Sequence, residues 1–204
     1  LVQAMLPAFV AAIARVEDLP GQRPRLIEFY TAACAFHVDD PMQQLLPELF
    51  NHATPEDRNT FAAQIGYFLR QLDPEATTRL WDTWLSRYWH ARLDGLLAPL
   101  EPAEARHMVD WLPHLGAQFP FAVSLAIQMP PLSADHSNAV YELRESALVG
   151  QFPQDTARLL IYLANGLPAY QGGYLADLAR RLGELPDELR RDLDEALARV
   201  GVGG

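Results

Sequence analysis

The sequence predicts an all-α protein, an irregular array of about eleven helices whose second half has helical-repeat, solenoid-like character. Three observations predict this fold. Apolar residues recur at helical spacing, and no stretch alternates in the manner of a β-strand. Prolines beside N-capping and acidic residues mark the starts of helices. A short phrase that ends one helix and begins the next returns at a fixed interval along the second half of the chain.

The repeated phrase predicts a corner between two helices. It occupies residues 115–120, 149–153 and 182–186, and its prolines lie 33 residues apart both times. Its glycine is expected to end a helix in the left-handed region, and its proline to begin the next helix, where no N–H is needed. The units 120–149 and 153–182 are then paired helices, although the tetratricopeptide and ankyrin consensus residues are absent.

Local signals justify the helices in order. Thr54-Pro55-Glu56-Asp57 supplies an N-cap hydroxyl, a first-turn proline and acids at the positive end of the helix dipole, and Asp73-Pro74-Glu75 resembles it. Later starts follow Glu101-Pro102, Phe152-Pro153 and Leu185-Pro186. The predicted helices are 3–18, 24–37, 41–51, 55–71, 74–98, 102–115, 120–129, 136–149, 153–165, 171–182 and 186–200.

The predicted helix 74–98 carries the clearest apolar stripe. Trp81, Trp84 and Trp89 belong to it, so we interpret them as core residues rather than as an aromatic cage for a ligand. Four basic residues are expected off the stripe, where they are either solvated or form a polar edge for an anionic ligand: Arg79, Arg87, His90 and Arg92.

Charge limits the classes of partner. The 204-residue chain has 26 acidic and 16 basic residues, a formal net charge of -10. Nucleic acids and anionic membranes attract basic surfaces, so we expect neither as a partner. All the basic residues are arginine, which is typical of a GC-rich bacterial genome rather than of a functional need for guanidinium groups.

One cysteine and an uncharged N-terminal stretch favour a cytoplasmic protein. Cys34 has no partner for an internal disulfide, and we interpret it as a buried thiol, with a nucleophile assisted by His37 as the alternative. Residues 1–14 are too short for a membrane span and lack the basic start of a signal peptide. We expect one helical domain, 1–204, with a sub-division near 100, as the C-terminal part of a longer protein.

One group of polar residues is the candidate site. His107, Asp110, Trp111 and His114 share one side of the predicted helix 102–115, and with Arg87 and His90 they form the predicted edge that faces a partner or ligand. Two imidazoles and a carboxylate are also metal ligands, so a helical metal-dependent enzyme using His107, Asp110 and His114 is an alternative. No phosphate loop, dinucleotide fingerprint or nucleophile elbow occurs, and we predict no catalytic residue, no bound metal and no cofactor.

Residues from about 80 to 200 resemble a bacterial domain family found at the C-terminal end of sirtuin-like proteins. The resemblance is carried by Trp81-Asp82-Thr83-Trp84-Leu85, Tyr88-Trp89, Gln118-Phe119-Pro120 and Leu185-Pro186-Asp187-Glu188-Leu189-Arg190. It implies an accessory module of a multidomain protein with a role in antiphage defence, and it brings no catalytic residues to this chain.

These observations predict a non-catalytic interaction or sensor module of a larger bacterial cytoplasmic protein. Helical arrays present extended surfaces, and we expect a protein partner or other domains of the same chain to bind one. A scaffold that drives self-assembly of the parent protein is the second alternative beside the metal enzyme. The sequence does not distinguish the scaffold from the interaction module or predict the oligomeric state.

Overall fold

The computed structural model describes Arg25, Thr31 and residues 53–94, 99–132, 137–166 and 172–201. Every regular element in these residues is helical, which confirms the all-α prediction. Apart from Arg25 and Thr31, the predicted helices 3–18, 24–37 and 41–51 lie outside the described residues, as do Cys34 and His37. No described helix is long and apolar enough to cross a membrane.

The chain divides into two compact units, Leu1–His107 and Met108–Gly204. The first described helix of the first unit, α1, spans Pro55–Leu69 and begins as predicted. The Thr54 hydroxyl accepts a hydrogen bond from the Asp57 N–H at 3.2 Å, and the Asp57 carboxylate accepts one from the Thr54 N–H at 2.8 Å. This reciprocal capping satisfies donors that a helix start otherwise leaves unpaired.

The predicted helix 74–98 is interrupted by a π turn. Helix α2 spans Pro74–Leu80, the π turn spans Trp81–Leu85, and α3 spans Ser86–Leu93. Trp81, Trp84 and Trp89 are all buried, and the prediction that the tryptophans are core residues is confirmed.

Helix α4, Pro102–Trp111, crosses the boundary between the two units. Two 3₁₀ turns follow it, Leu112–His114 and Gly116–Gln118. Gly116 has φ +53°, so the predicted left-handed glycine is present at this first corner.

The second unit continues with a series of short helices. They are α5 Phe119–Ala126, α6 Ser137–Glu145, α7 Leu148–Gln151, α8 Pro153–Ala164, α9 Gly172–Arg181 and α10 Asp187–Arg199. Helix α8 is central, because α5, α7, α9 and α10 all pack against it. Its side chains Leu159, Leu160 and Leu163 are buried in the core of this unit.

Two predictions about the later corners are wrong. The single helix 136–149 is divided, because the Ser146 hydroxyl donates to the Leu143 carbonyl and accepts from the Leu148 N–H, a local arrangement that competes with the helical ladder. Gly150 then lies inside α7, and neither Gly150 nor Gly183 has a positive φ. The prolines behave as predicted, since Pro120 and Pro153 lie in first turns and Pro186 is the N-cap of α10.

Candidate functional site

The exposed part of the predicted polar edge lies on α3. Arg87 and His90 are exposed, and a ring nitrogen of His90, Nδ1, lies 2.7 Å from the Ser86 carbonyl oxygen one turn earlier. Arg79, one helix earlier, is also exposed and pairs with Glu75 at 3.0 Å. These side chains are therefore available to solvent, as an edge for a partner or a ligand requires.

The rest of the predicted edge is not arranged as expected. His107 and His114 are half-buried, but Asp110 is 9% exposed and Trp111 is fully buried. Trp111 lies about one turn after the fully buried Met108, and Leu112, which begins the following 3₁₀ turn, is fully buried as well, so the apolar face of α4 includes Trp111. The prediction that Trp111 faces a partner is wrong.

His114 pairs with a residue that sequence reasoning did not select. Its Nε2 lies 2.8 Å from Oε2 of Glu142 on α6, and the two side chains are 19% and 24% exposed. The pair joins the first 3₁₀ turn to α6 within the second unit. It resembles the partner that orients a ligating histidine, but it supplies one imidazole and one carboxylate rather than a set of metal ligands.

Among the residues that the structure describes, no group of three or more His, Cys, Asp or Glu side chains is placed to hold a metal ion together. The helical spacing of His107, Asp110 and His114 therefore does not give the ligand set that the metal-enzyme alternative needs. A Zn²⁺ site requires at least three protein ligands within about 2.0–2.3 Å of one point.

The first unit contains a buried ion cluster, which we define as Arg58 on α1, Tyr88 and Arg92 on α3, and Glu104 on α4. The Glu104 carboxylate is fully buried. Arg92 donates to it from Nε at 2.7 Å and from Nη2 at 2.8 Å, and the Tyr88 hydroxyl donates to it as well. This fork of two parallel N–H···O bonds is the strongest pairing that an arginine makes with a carboxylate.

Arg58 is the less satisfied member of the buried ion cluster. Its Nη1 donates to the Ala53 carbonyl at 2.6 Å, while its Nε lies 3.6 Å from Glu104 Oε2, beyond hydrogen-bond distance. Within the part of the chain that the structure describes, Nε and Nη2 have no hydrogen-bond partner. The Coulomb attraction to Glu104 is thus the main compensation for burying this second guanidinium.

Aromatic rings enclose the cluster on one side. Trp84 stacks on Tyr88 with centroids 5.5 Å apart and an interplanar angle of 8°, and Phe61 of α1 tilts against both rings. Burial, and then the negative charge of Glu104, raise the pKa of Tyr88 well above its ordinary value of 10.0. Tyr88 therefore stays protonated and keeps donating to Glu104.

The buried ion cluster is suited to holding helices together rather than to chemistry on a substrate. Its side chains Arg58, Arg92 and Glu104 are each less than 5% exposed, so solvent has little access to them. The contacts among them join α1, α3 and α4 within the first unit. A catalytic acid or base has to reach its substrate within hydrogen-bond distance, which this enclosure prevents.

In the second unit, aromatic residues 33 positions apart meet. The Phe119 ring, at the start of α5, lies 6.1 Å from the Phe152 ring, next to the start of α8, and the two residues are 33 positions apart. Near the other end, the Tyr162 hydroxyl donates to the Pro130 carbonyl at 3.0 Å. The two helices are close to each other at their starts and again near their ends, so α5 and α8 run parallel.

Helices α6 and α9 pack on each other and carry two exposed tyrosines. Tyr141 on α6 is 58% exposed and Tyr174 on α9 is 51% exposed, and they are also 33 positions apart. One turn later, Arg144 Nη1 lies 3.6 Å from Asp177 Oδ2, again at a spacing of 33. We call Tyr141 and Tyr174 the tyrosine face.

Sequence reasoning missed both arrangements, although each left a signal. Arg92 lies four residues after Tyr88 on the apolar stripe, and Glu104 lies four residues before the buried Met108. A charge on an apolar stripe indicates a buried pair. The prediction that Arg92 lies off the stripe is therefore wrong. The signal for the tyrosine face is the 33-residue spacing of Tyr141 and Tyr174, which equals that of the corner prolines.

Comparison with known proteins adds no relative. The sequence matches no protein-family model and no curated protein, and the structure matches no solved structure. The resemblance to sirtuin-associated domains therefore stays a prediction.

Proposed function

We propose that this chain is a non-catalytic interaction module of a larger bacterial cytoplasmic protein, and that it binds a protein partner or another domain of the same protein. The observation that carries this proposal is the tyrosine face. Two large aromatic side chains, each more than half exposed, stand at equivalent positions of neighbouring helices. Tyrosine is enriched at protein interfaces because it combines a large apolar ring with a hydroxyl.

We also propose that the second unit is a short helical repeat of the solenoid type. Three pairings support this: α5 packs on α8, α8 on α10, and α6 on α9, so helices one repeat apart are neighbours. The exposed residues of α10 carry charges of both signs, as expected for a helix with one side in solvent. In such an array a partner meets one residue per repeat along a continuous surface.

The repeat is tested by a double-mutant cycle on its two corner phenylalanines. Phe119→Leu, Phe152→Leu and the double variant are compared by urea unfolding. Coupling of about 0.5–1.5 kcal/mol is expected, because tilted rings at this distance interact beyond their burial. Additivity between Phe119 and Phe152 would contradict the repeat contact.

The strongest polar group in the described residues, the buried ion cluster, is enclosed, so its charges stabilise the packing of helices rather than meet a substrate. Metal analysis of the purified protein tests the alternative enzyme. Stoichiometric zinc or iron that is lost on His107→Ala and on His114→Ala would replace our proposal with the metal-dependent one.

The setting in a larger, defence-related bacterial protein rests on the resemblance quoted from residues 81–89, 118–120 and 185–190. The expected role there is accessory, with any catalysis in a separate domain. Phage challenge of cells that carry the full-length protein tests this setting, and we expect Tyr141→Ala with Tyr174→Ala to reduce protection. Unchanged protection would contradict a role for this face in defence.

Photo-crosslinking tests the interaction module directly. Benzoylphenylalanine is introduced at position 141 or 174 of the full-length protein in its host, with position 67 as a matched control, because Tyr67 is 55% exposed but lies in the first unit. We expect adducts to one partner from positions 141 and 174 and none from position 67. Adducts between two copies of the same chain would favour the scaffold alternative, and equal labelling from all three positions would refute the proposed surface.

A further inference from the structure

The end of α8 places an exposed asparagine directly before a glycine. Asn165 follows Ala164, the last residue of α8, and Gly166 comes next. The sequence has four asparagines, and Asn165 is the one that precedes glycine. The backbone nitrogen of the following residue can attack an asparagine side chain, and glycine leaves that nitrogen unhindered because it has no Cβ. The pair therefore has the sequence and the exposure that favour deamidation.

The reaction proceeds through a cyclic imide and consumes only water. The Gly166 nitrogen loses its proton and bonds to the side-chain carbonyl carbon of Asn165, while the bond from that carbon to the amide nitrogen breaks and ammonia leaves. Water then opens the ring at either of its two carbonyls. One opening gives aspartate. The other gives isoaspartate, in which the backbone runs through the former side chain and is longer by one methylene group.

The last turn of α8 restrains the attacking nitrogen weakly. The Gly166 N–H donates to the Leu163 carbonyl at 3.0 Å, and the Asn165 N–H donates to the Tyr162 carbonyl at 3.2 Å. Both hydrogen bonds reach back three residues rather than four, which gives poorer hydrogen-bond geometry. Helix ends open locally at a small part of the free energy of global unfolding. Fraying of this one turn therefore releases the nitrogen while the rest of the second unit stays folded.

The backbone beside Asn165 has no room for an additional methylene group. A Cβ on Gly166 would lie 1.7 Å from the Leu132 carbonyl oxygen, so the two segments are already in close contact. The Tyr162 hydroxyl donates to the Pro130 carbonyl at 3.0 Å and joins α8 to the same segment. A longer backbone at position 165 would push Gly166 against Leu132. Either product also places a carboxylate at the C-terminal end of α8, where the helix dipole is negative.

We propose that Asn165 is a site of spontaneous deamidation, and that its modification separates the end of α8 from residues 130–132. This inference goes beyond the proposed function, because it concerns how long the second unit keeps its structure rather than what the unit binds. Helices α5, α7, α9 and α10 all pack against α8, so the loss of contacts at its end lowers the stability of the unit.

Peptide mapping by mass spectrometry tests the site, after incubation of the whole chain at mildly alkaline pH with and without urea. We expect Asn165 to react about two- to tenfold more slowly in the folded chain than in urea, because one terminal hydrogen bond has to open first. Asn59, inside α1 and followed by Thr60, is the internal control and should react far more slowly in the folded chain.

Two results would overturn the assignment of the site. Equal rates at Asn165 and Asn59 in the folded chain would show that the end of α8 is not special. A folded chain that reacts at Asn165 about a thousandfold more slowly than the chain in urea, or slower still, would show that the reaction requires global unfolding.

Urea unfolding tests the consequence, on aged chain separated from unmodified chain by ion exchange. We expect the aged form to have a lower urea midpoint than the fresh chain, with Asn165→Asp between them, because this variant carries the new charge without the longer backbone. Asn165→Gln is the matched control, since its longer side chain forms the ring much more slowly, and it should keep its midpoint on ageing. An aged form as stable as the fresh chain, or an equal loss in Asn165→Gln, would refute the proposed loosening of α8.

Discussion

Glu104 shows how one charge in a buried position organises several helices. Two guanidinium groups and a tyrosine hydroxyl face its carboxylate, and solvent reaches none of its atoms. Burying charges is unfavourable on its own, so a cluster of this kind is stabilising only while every partner is present. The cluster thereby favours the one arrangement of α1, α3 and α4 that brings its members together.

Glu104→Gln should be among the most destabilising single changes in the chain. It leaves the guanidinium groups of Arg58 and Arg92 buried without a counter-charge, which typically costs about 3–5 kcal/mol. Urea unfolding measures the loss. Glu75→Gln is the matched control, because its ion pair with Arg79 is exposed and should change stability by less than about 1 kcal/mol. Similar small effects at both positions would refute the structural role of the cluster.

The raised pKa of Tyr88 predicts how the stability of the folded chain changes at alkaline pH. In the folded chain its pKa is raised, whereas unfolding returns it to about 10.0, so the unfolded state binds fewer protons once the pH passes that value. The stabilisation is fully present below pH 10 and declines as the pH rises toward the folded-state pKa. The chain contains no lysine, whose ammonium group would lose its proton in the same range, so the decline above pH 10 reports mainly on tyrosine.

Urea midpoints between pH 8 and pH 11 measure this decline, with Tyr88→Phe as the test variant. We expect Tyr88→Phe to lower stability at pH 8 by about 1–3 kcal/mol, because the hydrogen bond to Glu104 is lost. Its stability should then fall less steeply above pH 10 than that of the unaltered chain. Burial also raises the pKa of Tyr162, so Tyr162→Phe should flatten the remaining slope. If the urea midpoints of all three proteins fell in parallel as the pH rises, the decline would not come from Tyr88 and Tyr162.

At the scale of elements, glycine marks a close approach of two segments in the second unit. A Cβ on Gly166, just after α8, would lie 1.7 Å from the Leu132 carbonyl oxygen, whereas a Cβ on Gly150 would meet nothing within 4 Å. The first position therefore requires glycine to let two backbones approach, and the second does not.

Gly166→Ala should lower the free energy of unfolding by about 1–3 kcal/mol or more, since backbone atoms have to move apart. Gly150→Ala, inside α7 and with negative φ, should raise it by about 0.5–1 kcal/mol by restricting the unfolded chain. Thermal and urea unfolding of the two variants provide the comparison. If Gly166→Ala left the free energy of unfolding unchanged, the backbone around Leu132 would be able to move aside without a loss of stability.

Helix starts were predictable because their causes are local. Thr54 and Asp57 are three residues apart, and Pro153 lies in the first turn of the helix that it begins. The buried ion cluster depends instead on Arg58 and Glu104, which are far apart in sequence and meet through folding. Arg92 lies four residues after the buried Tyr88, but a charged residue is expected in solvent unless its partner is known, and that partner, Glu104, lies on another helix. Trp111 was misplaced because a broad apolar face covers more of α4 than the polar spacing indicated.

For the molecule as a whole, the excess of acidic residues affects both the stability of the fold and the rate of association with a partner. A net charge of -10 destabilises a compact chain through self-repulsion, and salt screens that repulsion between exposed groups. The buried pair of Arg92 and Glu104 is fully enclosed, so its attraction is screened much less.

The melting temperature should therefore rise by a few degrees when sodium chloride is increased from about 10 mM to about 300 mM at pH 7, because the Debye length shortens from about 30 Å to less than 8 Å. The control is the same titration near pH 4.9, where the chain carries little net charge and the rise should vanish. A fall in melting temperature at pH 7 would mean that exposed ion pairs such as Arg158 with Asp155 outweigh the repulsion. The same screening should slow association with any positively charged partner, so stability and association rate are expected to move in opposite directions as salt is added.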